Sequence, residues 1–329
     1  MDDIRWFSPI PYYSLPVPAL RAGGLKIAES GNNPARLVVV ADSQCAVAGF
    51  EFARRHRCPM ILSVWDLPPW RFGSGRPDLI FTTGTRIRRV PRLIGGYPER
   101  AGYYSRIRFV ARRAAQVWCA SRHTIADVQE RFGVRALQLP FCYDSDRFRM
   151  LPAAPSERTS PPVLLSVSRL VPYKNHSVVL QAAAQLTQPV IVHLIGQGTE
   201  AESLRREANA LGVTLRLDAN RVSDEAVVAA YREAAVVVCP SRWEGFGLTP
   251  MEGLAVGRPV IASDIPVHRE FVGEHVRFFD PDDAAQLAQS CAEVLAAAPP
   301  TVPTTSPLPT LTIEACVARL QSALQPWLP

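Results

Sequence analysis

The feature that most constrains this chain is an alternation of short apolar strands with helix-length segments, broken once by prolines and then resumed. Arg36-Leu-Val-Val-Val-Ala41 reads as a buried strand and Cys45–His56 as the helix after it, with Pro59–Trp65 and Ala115–Ala120 as further strands. Such runs lack polar alternation, which suits strands of a parallel sheet covered by helices on both faces. The break is RMLPAAPSERTSPP, residues 149–162. Beyond it come strands at Val163–Ser168, Val190–Ile195, Leu215–Leu217, Ala235–Cys239 and Pro259–Ala262. Helices are expected at His176–Leu186, Glu200–Leu211 and Asp224–Ala234, with another opened by Thr249. A second proline- and threonine-rich stretch, PPTVPTTSPLPT (299–310), leads to a last amphipathic helix over Leu311–Leu324. The expected fold is α/β, with two Rossmann-like doubly wound parallel-sheet domains in series. Residues 1–152 form the first domain and 153–310 the second. Residues 311–329 form a C-terminal helix packing back on the first.

Composition narrows the class. With 329 residues and 47% hydrophobic content, the chain can fill two cores and is not disordered. No apolar run approaches the ~18 residues that would span a bilayer. The start, Met1-Asp2-Asp3, is acidic where a secretory signal would be basic, so a cytoplasmic protein is expected. Seven cysteines, odd in number and without a C-x-x-C pair, argue against a disulfide framework or structural zinc. Six histidines without H-x-H or H-E-x-x-H spacing argue against a catalytic metal. The net charge of +6 is uneven. Residues 1–160 hold 24 Lys+Arg against 13 Asp+Glu, and residues 161–329 hold 12 against 17. Opposite charge on the two halves points to different tasks. Only Lys26 and Lys174 are lysines, which singles out Lys174.

In open parallel sheets, ligands lie beyond the carboxyl ends of the strands, so the loops after the second domain's strands are where chemistry belongs. Ser168-Arg-Leu-Val-Pro-Tyr-Lys174 places Arg169 and Lys174 on either side of a proline turn. Both can reach one anion at the following helix start, where free N–H groups and the helix dipole add attraction. Two solvated charges would be the ordinary alternative. The second segment is Ser241-Arg-Trp-Glu244-Gly-Phe-Gly-Leu-Thr-Pro-Met-Glu252. Gly245 and Gly247 permit close backbone approach to a ligand. Thr249, Pro250 and Glu252 fit a helix cap, first position and third position. A capping box alone would explain Glu252 but not Glu244. Two carboxylates around a glycine-lined helix start suit a phosphorylated polyol, because carboxylates accept hydrogen bonds from hydroxyls.

These segments resemble a known family. Two glutamates separated by seven residues within EGFGLTPMEGLAVGRPVIAS look like the hallmark of the family 4 retaining glycosyltransferases, which have the GT-B fold. SVSRLVPYKN is similar to that family's R-x-x-x-x-K donor-phosphate motif. LIGQGTEAESLRREANALGV and SDEAVVAAYREAAVVVCPSRWEGFG resemble its middle segments, and ILSVWDLPPWRF and LPFCYDSDRF are fainter echoes in the first half. The resemblance implies a cleft between the domains and a nucleoside-diphosphate sugar, UDP- or GDP-linked, as donor rather than a cofactor. It implies that Arg169 and Lys174 hold the diphosphate and that Glu244 bonds the donor sugar. The backbone of Gly245, Phe246, Gly247 and Leu248 would contact sugar and phosphate, and Glu252 the ribose. Asn220, Arg221 and Val222 would line the base, and Gly196 would give the donor room. It also implies a hexosyltransferase that needs no metal and acts on a glycan or lipid-linked acceptor.

The pattern is broken in places. Trp65 stands where the family has a histidine, so Asp66 or His123 takes its part, or donor handling differs; His123 reads more simply as a helix-start residue. A strand-helix unit is missing between Phe7 and Arg36, with Gly23-Gly24 a plain turn. Asp144-Ser-Asp146 imitates a metal-binding D-x-D but sits in a loop beside Arg147. From Arg86 to Arg113 nine arginines face one acid, Glu99, with Tyr97, Tyr103 and Tyr104 among them. That stretch is either a solvated face or a patch for an anionic membrane surface. No nucleic-acid motif accompanies it, so nucleic acid is not an expected partner; on the membrane alternative the cytoplasmic protein would sit peripherally at the inner membrane face. Two other readings stand beside the leading one: a degenerate relative that binds a nucleotide sugar or a partner without transfer, and a nucleotide-sugar epimerase, whose catalytic carboxylates and histidine are not identifiable.

Overall fold

Ala35–Val40 is buried at every position but Arg36, and Val236–Cys239 and Val260–Ser263 at every position. Strands of this kind must be covered on both faces, and each lies inside a parallel sheet. The computed structural model describes residues 1–8, 14–67, 103–139, 142–144, 147–148, 161–297 and 308–328. They divide into two units. The first runs to Cys142 and includes the C-terminal segment from Thr310; the second runs from Tyr143 to Pro309. The division at Cys142/Tyr143 lies before the proline-rich break around residue 152.

The first unit contains β1 (Asp2–Phe7), α1 (Val17–Ala22), β2 (Ile27–Ala28), β3 (Ala35–Val40), α2 (Ala46–His56), β4 (Met60–Val64), α3 (Tyr103–Ala111), β5 (Gln116–Cys119), α4 (Arg122–Phe132) and β6 (Leu137–Gln138). The six strands are parallel in the order β2-β1-β3-β4-β5-β6. The interval between Phe7 and Arg36 is contracted rather than lacking a strand-helix unit. Its helix α1 has six residues, and β2 adds two residues to the sheet edge, pairing Ile27 with Ile4. Gly23 and Gly24 form the turn that ends α1.

The second unit contains β7 (Val163–Val167), α5 (His176–Ala183), β8 (Ile191–Ile195), α6 (Ala201–Leu211), β9 (Thr214–Asp218), α7 (Asp224–Glu233), β10 (Val236–Cys239), α8 (Leu248–Ala255), β11 (Val260–Ser263), α9 (Pro266–Phe271), β12 (Arg277–Phe279) and α10 (Ala284–Ala296). Its sheet is also parallel, in the order β12-β11-β10-β7-β8-β9. Read from β9, this is the doubly wound order 3-2-1-4-5-6, whose direction of winding reverses between β7 and β10. Leu164 is the hinge of that arrangement, paired with Val192 on one side and Val236 on the other. The loops leaving β7 and β10 diverge at this point and open the crevice in which such sheets bind ligands. They are the loops that carry Arg169, Lys174 and Glu244.

The last helix, α11 (Ile313–Leu324), belongs to the first unit. Cys316, Leu320 and Leu324 recur every four residues and are buried, giving the helix one apolar stripe. Leu320 closes a small cavity of about 20 Å³ together with Trp6, Trp65, Trp118 and Leu139. Leu320→Ala is therefore expected to destabilise the first unit by roughly 2–5 kcal/mol. The three tryptophans around the cavity make urea unfolding followed by tryptophan fluorescence the check.

Candidate functional site

The loop after β7 is built to hold two cations together. Pro172–Lys174 forms one 3-10 turn, and Asn175 at φ 59° turns the chain into α5. Tyr173 lies between the charges: the Arg169 guanidinium carbon and Lys174 Nζ are 5.7 and 5.4 Å from its ring centroid. Arg169 also donates to the Tyr173 hydroxyl. Beneath the loop, fully buried His176 brings Nε2 to 3.0 Å from Ser168 Oγ and 3.3 Å from the Arg169 carbonyl. Burial pushes the His176 pKa down to about 4, against the opposing pull of the Arg169 carbonyl.

The loop after β10 is bolted to the first. The Arg242 amide donates to the Tyr173 carbonyl at 2.8 Å, and Asn175 Nδ2 donates to the Pro240 carbonyl at 3.2 Å. Lys174 Nζ donates to Glu244 Oε1, a pair with side chains only 12% and 16% exposed. Burial is the largest single influence and would raise the Glu244 pKa, but the Lys174 and His268 charges and the hydrogen bonds from Lys174 and Ser241 together overcome it, and the carboxyl is held below its ordinary range. Sequence order separates these two residues widely; the switch point brings them into contact.

Gly247 adopts the left-handed conformation, φ 78°, and serves as the N-cap of α8. That turn starts the helix at Leu248, two residues before the expected first position at Pro250. The Thr249 hydroxyl does not cap it but donates to the Val167 carbonyl at 2.7 Å, tying α8 to the end of β7. The capping box accordingly does not form, and Glu252 Oε2 instead accepts from the Tyr231 hydroxyl at 2.6 Å. Burial pushes the Glu252 pKa up, in the opposite direction to Glu244. Phe246 is buried against Phe271, centroids 4.7 Å apart, so its backbone is what the loop presents. His268, 1% exposed, sits beside this loop. Its Nδ1 is 2.9 Å from the Ser263 carbonyl, and its buried Nε2 has no hydrogen-bond partner among the described residues.

Two expected positions take a different meaning. Gly196 has φ 154°, and a Cβ there would lie 1.8 Å from the Ser168 carbonyl. The backbone at Ser168 and Arg169 occupies the place a side chain would take. Trp65, half-buried after β4 in the first unit, spends its indole N–H on the Ala41 carbonyl. Asp66 follows it and is also half-buried. His123, the second residue of α4, is 3.8 Å from Asp127, four residues on. Asn220, Arg221 and Val222 lie in the loop between β9 and α7, the first two exposed. Asp144 Oδ1 accepts the Arg147 amide at 3.1 Å, a local turn; Asp146 lies outside the described residues. Among the described residues no three His, Cys, Asp or Glu side chains group as metal ligands. Of the arginine-rich stretch, Arg106, Arg108, Arg112 and Arg113 are described, and Arg86–Arg100 lie outside the described residues.

Residues 149–300 match the family described as Glycosyl transferases group 1, a span that falls within the second unit. Over 42 residues the chain is 52% identical to the lipopolysaccharide core biosynthesis mannosyltransferase LpsB of Rhizobium meliloti, 13% of this chain and 12% of that protein. It is 30% identical over 175 residues to the GDP-mannose-dependent alpha-(1-6)-phosphatidylinositol monomannoside mannosyltransferase of Mycolicibacterium smegmatis, 47% of this chain and 46% of that protein. The chain thus spans less than half the length of these curated relatives. Among solved structures, Anabaena Alr3699/HepE in complex with UDP-glucose superimposes with a TM-score of 0.72 at 14% identity, covering 99% of this chain and all of the other. The apo lipopolysaccharide outer core galactosyltransferase WaaB gives 0.64 at 13% identity, covering both chains fully. The two sheets are the Rossmann-like domains of the GT-B fold.

His176 makes the site's scaffold pH-dependent. Its folded pKa lies below the unfolded value of 6.5, so between pH 6.5 and 4 the unfolded chain takes a proton that the folded one refuses. Stability is full above pH 6.5, falls by about 3 kcal/mol on the way to pH 4, and then levels off from this source. Chemical denaturation at pH 7.5, 5.5 and 4.5, with His176→Gln lacking this component, is the measurement.

Proposed function

We propose that this chain is a glycosyltransferase that moves a hexose from a nucleoside-diphosphate sugar to an acceptor hydroxyl, with the donor held in the second unit. The observation that carries the reading is the Lys174–Glu244 pair joining the loops after β7 and β10. At that place Arg169 and Lys174 stabilise the negative charge that develops on the leaving diphosphate, the part a metal would otherwise take. Lys174 has two further N–H donors beyond the one given to Glu244. Glu244, kept ionised, accepts from the sugar hydroxyls; Glu252 accepts from the ribose; the amides of Gly245–Leu248 approach sugar and phosphate; Asn220–Val222 face the base. The incoming hydroxyl attacks from the leaving-group side and a phosphate oxygen takes its proton, so the anomeric configuration is retained. The relatives named above use or contain GDP-mannose and UDP-glucose, which supports a UDP- or GDP-linked hexose.

Release of nucleoside diphosphate from a panel of UDP- and GDP-hexoses tests this. Glu244→Gln keeps the size and a hydrogen-bonding atom for Lys174 but removes the charge, and is expected to lower kcat about 10²–10³-fold. Release unaffected by the change removes Glu244 from the mechanism. Inverted product stereochemistry in NMR spectra overturns the retaining course.

The acceptor in this reading is a glycan or lipid-linked hydroxyl, reached at an anionic membrane face. The support is a surface between α2 and α3, which pack together through Phe50 and Phe109, centroids 5.6 Å apart. Val47 and Phe109 are 40% and 47% exposed there, and Arg54 and Arg106 line the same groove. Apolar side chains among arginines suit an anionic interface. No described helix is long and apolar enough to cross a membrane. Co-sedimentation with phosphatidylglycerol vesicles at physiological salt is expected, and Val47→Ser with Phe109→Ser should reduce it several-fold. A second reading, donor binding without transfer, is favoured by Trp65, whose N–H is already committed to Ala41. Binding of a nucleotide sugar with no release of nucleotide would decide for it.

A further inference from the structure

Tyr143 opens the second unit, and the residues that follow converge on the helix behind Glu252. Asp224 and Tyr231 stand seven residues apart on α7 and share one face of it. Arg147 holds one end of that face, with Nη2 2.9 Å from Asp224 Oδ1 and 3.4 Å from the Asp224 carbonyl. Phe148 holds the other, meeting the Tyr231 ring edge to face at 5.4 Å. The Arg147 guanidinium carbon lies 5.2 Å from the Phe148 centroid, so the two contacts form one unit. Tyr231 is fully buried, and its hydroxyl donates to Glu252 Oε2 at 2.6 Å.

We propose that Arg147, Phe148 and Tyr231 are positioning residues for Glu252: Tyr231 aims the carboxylate, and Arg147 sets the electrostatic field around it. Donor affinity is then set partly by residues at the entry to the second unit that do not touch the donor. This rests on the reading of Glu252 as a ribose-binding group. A carboxylate that must accept from ribose hydroxyls needs a fixed plane and a negative charge. With Oε2 accepting from Tyr231 the carboxylate is restrained, and Oε1 is the oxygen left to accept from a ligand. The groups acting on Glu252 are Tyr231 and Asp224 of α7, Arg147 and Asp144 of the entering segment, and Cys239 of β10. Burial raises the Glu252 pKa most; Asp224 and Asp144 add to the rise, whereas the Tyr231 bond and the Arg147 charge oppose it. Loss of Arg147 therefore raises it further, and the carboxylate is lost at a higher pH.

The experiment uses the full chain and calorimetric titration with uridine diphosphate and guanosine diphosphate from pH 5 to 8. Tyr231→Phe fills the same space without the hydroxyl and is expected to weaken binding about three- to tenfold. Arg147→Met is expected to move the acid limb of binding upward by about half a pH unit or more, and Arg147→Lys to restore most of it. In turnover assays both changes should raise the donor KM more than they lower kcat. Thermal melts establish that each variant is folded. If Glu252→Gln weakens binding but Tyr231→Phe and Arg147→Met leave affinity and acid limb as in the parent, the positioning role is wrong while the donor site stands. An affinity loss that tracks lowered Tm with an unmoved acid limb also overturns it. If neither diphosphate binds the parent chain, or Glu252→Gln binds unchanged, the donor-site reading fails and this proposal with it.

Discussion

The arrangement depends on one ion pair, Lys174 with Glu244, held between two loops with little access to water. Side chains 12% and 16% exposed lose most of their hydration, and the mutual attraction of such a pair often only offsets that loss. A pair of well-packed apolar residues would serve stability as well. Its value is therefore to be sought in what a cation and a carboxylate do together at a strand switch point. The fold spends further backbone and amide hydrogen bonds on holding them there, from Arg242 to Tyr173 and from Asn175 to Pro240 and Pro281. Nothing in the sheet requires the loops to be joined; the cation and the acid do.

The surroundings of the pair disfavour further charge on the imidazoles beside it, which leaves Arg169 and Lys174 as the cations at that point. His176 and His268 flank it, both buried, and burial pushes both pKa values down. Neutral imidazoles can support the Arg169 carbonyl and the Gly247 turn without competing with Lys174 for an anion. Tyr173 does similar work for the cations, since its ring lies within 6 Å of both Arg169 and Lys174 and its hydroxyl accepts from Arg169. The ring face and the hydroxyl thereby offset part of the repulsion between two like charges held near one another.

Much of this was legible from the chain itself because strand-forming runs and loop chemistry are local signals. The strands at Val163–Val167, Val236–Cys239 and Val260–Ser263 are short, nearly continuous apolar runs, and Arg169, Lys174 and Glu244 lie in the loops after the first two. The short edge strands β2, β6 and β12, and the helix α9, were not legible, since two- to six-residue elements have no period to read. The expected helix cap at Thr249 fails for a different reason. Its spacing fits, but Gly247 starts the helix earlier and Tyr231, distant in sequence, takes the carboxylate. Gly196 likewise has a requirement that local pattern does not carry: its close neighbour is the backbone at Ser168, which the β7–β8 pairing brings near. Tertiary partners of this kind, Tyr231 and His268 among them, leave no mark on local pattern.

The two glutamates show why both carboxylates are needed. They stand on one short segment, eight positions apart, yet their environments drive them in opposite directions. Glu244 faces Lys174 and is held ionised; Glu252 has burial against it and a hydroxyl as its bonded partner. Environments that separate two titratable groups in this way mark separate tasks. A group committed to a cation can trade that bond for a ligand's hydroxyls only if the ligand brings negative charge for the cation, as a diphosphate does. A group held by a tyrosine has no such condition and can accept from a neutral diol. On the proposed reading the first task fits the phosphate-linked sugar and the second the ribose, and the carboxylate that has the lysine would set the polarity of a nucleotide sugar along the crevice.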